Sequence, residues 1–352
     1  MTISLVIQIC FVKWRTVPQE VIVSSSLTPN ILMHVFSCLE IDGSFFHSNY
    51  GLKHHFTLTE EEYVLWEKHA KKCLTLGCSA ELYEVLFQIP SYIPAEDLEM
   101  LLQNFDNIGA AIKEGSFETL MITYGSVFDD LLIYAPQSIF ESHFQKLHEN
   151  YEIILETFDF MKNALQIVWA NFYQKYWFDD LLPRLEQHQQ QLNQIIKPLN
   201  IVNAWKKILK LDFPYQEFVV YLVEPTTTIA TNLLAEKIMI ANEREDLENY
   251  KIIIHEVGRA FLLNTNIFNN EIVKPIALGN IERLSLIVDA ACSYLKHNLF
   301  EQFRLKDNDP DPYATPQIKP YIKTFGEIWE SLEEKNIYKA LLDTYNKSFP
   351  IV

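Results

Sequence analysis

The chain has 352 residues, 49% of them hydrophobic, and a formal net charge of −17. That length can bury one large core, or one domain with a sizeable insertion. The acidic balance excludes the Lys/Arg surface that nucleic acid requires, so no nucleic-acid partner is expected, and nine glycines in the whole chain argue against an all-β sandwich. No apolar run reaches the length of a membrane span. The five cysteines, at 10, 38, 73, 78 and 292, are odd in number and repeat no spacing. They are expected to be reduced thiols in a cytoplasmic protein.

In chain order, the β-branched runs 3–12 and 20–25 read as strands paired through a turn near Pro18. The first of them lacks a basic leader and an A-x-A-like cleavage site, so a strand is expected rather than a signal peptide. A helix over 30–41 follows, carrying His34 as a packed core residue. Residues 42–58 read as a surface loop, although they hold His47, His54 and His55. Thr59 and Glu62 form a capping box that opens a helix to Leu76. Further helices are predicted near 95–113, 117–133 and 137–177. The aromatic stretch from Trp169 to Phe178 has helical spacing and reads as core, and the glutamine-rich segment 186–194 as an exposed helix flank.

After Pro214 the pattern changes. Runs 217–223 and 236–241 are strands, and Ile229 to Leu234, after Pro225, is a third. A helix over 251–263 comes next, with Asn264 as its cap, then a loop over 265–279 and a helix over 281–300 capped by Asn280. Asp307 to Asp311 alternates acids like a calcium loop, but Pro312 and Ile318 stand where the glycine and the closing glutamate should be, so that reading fails. The end of the chain, 316–347, is helical. The fold class expected is α+β, predominantly helical, with a small twisted mixed sheet. The division is 1–214, strands plus a helical region packed with the rest, and 215–352.

The chemistry concentrates in Lys251 to Leu263, where only His255, Glu256 and Arg259 interrupt an apolar run after Lys251. A helix so apolar is buried, and its polar groups are buried with it unless they line a cleft. His255 and Arg259 lie one turn apart on one face, with Glu256 beside them. On the later helix, Glu282 and Asp289 are seven residues apart and share a face. An acid set among Ile287, Val288, Ala290 and Ala291 needs a partner.

His-Glu-Val-Gly-Arg after two strands and before an acid-bearing helix resembles the gluzincin branch of the zincin metallopeptidases, whose motif is His-Glu-x-x-His. The resemblance covers about residues 215–300. It implies His255 as first zinc ligand, Glu256 as general base, and Asp289, or else Glu282, as the acidic third ligand. It further implies that Ile229, Ala230, Thr231, Asn232 and Leu233 form an edge strand along which extended peptide pairs. Gly258 fits the family pattern, and an interior helical glycine implies close packing, here expected against the sheet. Arg259 is the departure. A guanidinium has no lone pair for a metal, and two ligands are too few for a catalytic zinc. Arg259 is instead expected to act as the central cation, bonded to Asp289, Glu282 or Glu256. The first reading is therefore a zincin-like pseudoenzyme without cofactor, serving as a binding or structural protein for a peptide or protein partner. Two alternatives stand beside it. One is an atypical zinc-dependent metallopeptidase that recruits a further ligand from His297, His34 or the 47–55 histidines. The other is an unrelated α+β protein with a coincidental motif.

Overall fold

A computed structural model describes residues 19–38, 59–61, 64–65, 68, 83–226, 229–305 and 311–350. The expected strand at 3–12, its pairing near Pro18, and the loop histidines 47, 54 and 55 lie outside these residues. The architecture is predominantly helical α+β around a four-stranded mixed sheet of order β1-β2-β4-β3. The strands are β1 (Glu20–Ser25), β2 (Glu217–Val223), β3 (Thr231–Asn232) and β4 (Lys237–Ala241). β1 and β4 flank β2 in parallel, and β3 runs antiparallel to β4 at the far edge. The sheet thus joins strands from the two sequence regions, with Val21 opposite Phe218.

The two edges are treated differently. At β1 the side chain of Asn193 accepts from the Val23 N–H (3.0 Å) and donates to the Val23 carbonyl (2.8 Å). The glutamine-rich segment is therefore not simply a solvated flank. It belongs to a helix, Leu182–Leu199, that covers an open strand edge. Pro198 lies inside this helix, and Asn200 closes it in the left-handed region at φ 47°. β3 is shorter than the predicted run, because Leu234 (φ 80°) and Ala235 (φ 47°) turn the chain sharply into β4. Ile229, Ala230 and Leu233 flank the strand without belonging to it.

The predicted helix over 137–177 is two helices, Gln137–His148 and Tyr151–Val168. The second runs through π-helical turns at Trp169–Tyr173 and Trp177–Leu181 into Leu182–Leu199. These wider turns bury Tyr173, Tyr176 and Trp177 but leave Phe178 exposed. The predicted loop over 265–279 contains two short helices, Thr265–Asn269 and Lys274–Gly279. Asn264 serves both neighbours: its amide donates to the carbonyls of Ala260 and Phe261, and its oxygen caps Asn266.

The motif helix spans Asp246–Leu262 and the acid helix Ile281–Phe303. Gly258 does pack closely, but against a helix rather than the sheet. A Cβ there would stand 2.6 Å from the Trp205 ring of helix Ile201–Leu209. Trp205 is fixed in turn by donating its indole N–H to the Ile254 carbonyl (2.7 Å). Phe213 then links Phe261 of the motif helix to Phe218 of β2.

Gly258→Ala should destabilise the protein by about 1–3 kcal/mol in chemical denaturation, because the methyl meets a ring that cannot retreat. At an unobstructed helical site the same change would stabilise by up to about 1 kcal/mol.

At the start of β4, Glu236 is buried and accepts from the Tyr92 hydroxyl through both oxygens (3.0 and 3.2 Å), with the Lys237 ammonium 3.7 Å away. Burial pushes its carboxyl up to about 7, and Lys237 offsets only part of that. An acid with a raised folded pKa holds its proton after the unfolded chain has released it. Its contribution is therefore full below about 4.5 and lost as pH rises to about 7. Between pH 5 and 7.5 the wild type should lose up to about 3 kcal/mol from this source. Glu236→Gln should flatten that part of the stability–pH curve.

Candidate functional site

His255, Glu256 and Arg259 project from the motif helix towards the acid helix. His255 is fully buried and Glu256 is 5% exposed. Each nitrogen of the Arg259 guanidinium has its own neighbour. Nε lies 2.7 Å from Asp289 Oδ1, Nη2 donates to Ser285 Oγ at 3.1 Å, and Nη1 lies 3.4 Å from Glu256 Oε2. Ser285 and Asp289 stand one turn apart on the acid helix, which presents them together to the planar fork. Burial pulls against the guanidinium's charge, but Asp289 and Glu256 more than offset it, so its proton is held more tightly than usual. Burial raises the Asp289 carboxyl, and Arg259 counteracts part of that rise.

Glu282 does not join this cluster. The first turn of the acid helix faces outwards, and Glu282 is exposed there. Sharing a helix face with Asp289 was not enough, because the helix starts beyond the neighbour that buries Asp289.

Three residues complete the cluster that sequence reasoning missed. Lys296, fully buried two turns after Asp289, lies 2.5 Å from Asp311 Oδ1 and 3.4 Å from His255 Nδ1. Burial lowers its ammonium, with Asp311 opposing the shift. Burial alone would raise the Asp311 carboxyl, but Lys296 reverses this and holds it below the ordinary range. Tyr313 lies flat on the His255 ring, with centroids 3.5 Å apart and planes 6° apart, and donates its hydroxyl to Glu256 Oε1. The available signal for Lys296 was its seven-residue spacing from Asp289 amid apolar neighbours. Nothing local signalled Asp311 or Tyr313.

The opposite face of the cluster opens on a pocket of about 360 Å³. Glu256 and Arg259 form its floor, Asn232 and Leu234 the sheet side, and Gln88 and His143 part of the helical side. Gln88 Nε2 donates to the Asn232 carbonyl (2.7 Å), on the edge of β3 away from β4.

The structure brings the zinc ligands that the resemblance implies only partly together. His255 Nε2 is buried with no hydrogen-bond partner and faces Asp289 Oδ1 at 3.7 Å, so two of the ligands implied by the resemblance do face one another. The same Asp289 oxygen, however, carries the Arg259 Nε, and a fixed cation there opposes a second one. Among the described residues no group of three His, Cys, Asp or Glu side chains could hold a metal. Of the histidines considered as a further ligand, His34 is buried far along the chain, in ring contact with Phe172 and Tyr173, and His297 is exposed. Glu256 is equally committed, one oxygen to Tyr313 and the other to Arg259.

No known family model matches the chain, and no curated protein or solved structure is recognisably similar to it.

Arg259→Ala leaves Asp289 without its cation and should cost about 3 kcal/mol of stability in urea unfolding. Adding Asp289→Asn should recover a large part of that loss. A full, undiminished loss in the double variant would show that Arg259 contributes through packing instead.

Proposed function

We propose that this chain is a zincin-like protein whose cleft has exchanged its metal for an arginine-centred ion cluster, and that it binds an extended peptide or protein segment without hydrolysing it. The observation that carries this reading is Arg259 Nε at 2.7 Å from Asp289, the acid that the resemblance assigns to zinc. The contacts of Glu256 add to it, since each of its oxygens is already turned to a donor of the cluster, Tyr313 or Arg259.

The two sheet edges support the peptide part. β1 is covered by the helix bearing Asn193, whereas the edge of β3 borders the pocket. A strand edge beside a cleft is the element to which extended peptides add. There the Gln88 carboxamide occupies the Asn232 carbonyl, the position a peptide N–H would take. No described helix is long and apolar enough to cross a membrane. We place the protein in the cytoplasm, a reading supported by the odd number of cysteines and their lack of a repeated spacing.

Two measurements test this function. Protein purified without chelator or affinity tag should carry less than stoichiometric zinc by elemental analysis. A pool of random-sequence decapeptides should be retained and left intact. Gln88→Ala should tighten that retention about fivefold, since a peptide no longer displaces a hydrogen bond worth about 1 kcal/mol. Stoichiometric zinc together with peptide cleavage, both lost in His255→Ala, would replace this reading with an active metallopeptidase.

A further inference from the structure

We infer that Lys296 is a positioning residue that fixes His255 as the tautomer protonated on Nε2, so that the departure from a metal site is written at two positions, 259 and 296. An ammonium has three hydrogens to donate and no lone pair to accept. The Lys296 Nζ lies 3.4 Å from His255 Nδ1 and is paired on its other side with Asp311. Facing that donor, Nδ1 presents its lone pair, and a neutral imidazole with a lone pair on Nδ1 carries its hydrogen on Nε2. Full burial keeps the ring in its neutral form, with Lys296 and Arg259 adding to that effect and Glu256 and Asp311 opposing it.

The hydrogen-bond directions then form one consistent series. Lys296 donates to Asp311 and to His255 Nδ1. His255 Nε2–H faces Asp289 at 3.7 Å, an acid that also faces Arg259, and Arg259 and Tyr313 both donate towards Glu256. A metal-binding histidine needs the reverse. Its outer nitrogen donates to a carboxylate, carbonyl or water, which leaves the inner lone pair for the metal. Here a cation stands where that acceptor belongs. Supplying the missing second histidine by Arg259→His therefore does not by itself recover a zinc site, because His255 Nε2 still carries a hydrogen.

This inference rests on the metal-free reading, and the two fail separately. Zinc in the wild type sinks the reading, whereas the wrong tautomer in zinc-free protein sinks only this inference. The decisive measurement is a long-range ¹H–¹⁵N correlation spectrum of ring-labelled histidine in the full chain, with His255 assigned by the signal lost in His255→Gln. The expected pattern is a pyridine-type Nδ1 and a pyrrole-type Nε2. A pyrrole-type Nδ1, or an imidazolium, overturns the inference.

Zinc titration supplies the second arm. R259H should bind no stoichiometric zinc. R259H/K296Q should bind at least tenfold more tightly than R259H, because a glutamine carboxamide offers an acceptor to Nδ1–H and a donor to Asp311. Tight zinc in R259H alone, or no gain from the second substitution, overturns the inference. Should the double variant not fold, the wild-type spectrum decides alone.

Discussion

Arg259 against Asp289 is the contact on which the centre of this molecule depends. A guanidinium keeps its charge at any ordinary pH, so its site must supply anions and acceptors along its fork or leave it outside. The fork is met by Asp289 and Ser285 from the acid helix and by Glu256 from its own helix. Tyr313 and Lys296 then extend the cluster to the turn after Asp311. Three carboxylates thus face two cations around a neutral imidazole. Such a cluster is weak evidence for stability, since desolvation offsets much of the attraction. Its effect is on geometry. Apolar packing alone tolerates sliding of one helix along another, whereas a planar fork set against Asp289 and Ser285 ties the motif helix to one register on the acid helix.

The parts of this centre that were legible in the sequence are those whose signal is local. An apolar run broken by His255, Glu256 and Arg259 announces a buried polar face, and the flanks of Asp289 announce a buried acid. Glu282 misled because periodicity fixes the face of a helix but not where along its length the neighbour begins. Lys296 escaped because a lysine is read as surface by default, and its burial depends on Asp311, across a connection that no periodicity describes. The fold divides in the same way. β2 and β4 are short apolar runs containing Val or Ile and are visible, whereas the parallel pairing of β1 with β2 joins residues almost two hundred positions apart. The short β3 reflects positive φ at Leu234 and Ala235, positions where nothing in the residue type demands a turn.

The helical first half gains its meaning from the same centre. Without it the cleft beside β3 would be bounded only by the sheet and the motif helix. With it, Gln88, His143 and Tyr134 join Asn232, Glu256 and Arg259 in lining the pocket. This matters for the functional reading because a catalytic cleft and a binding cleft make opposite demands on their polar groups. Catalysis needs a base that can take a proton and a nucleophile that gives it up. Binding without turnover needs polar groups that are already satisfied, so that an occupant meets a fixed shape. Glu256 accepts at both oxygens, the Arg259 fork is held between Asp289, Ser285 and Glu256, and the imidazole of His255 lies beneath the Tyr313 ring. The contact in this cleft that a guest could replace group for group is the Gln88 bond to the edge of β3. On the function proposed above, Arg259 and Glu256 hold the helices together, and the edge of β3 is the element that would meet a partner.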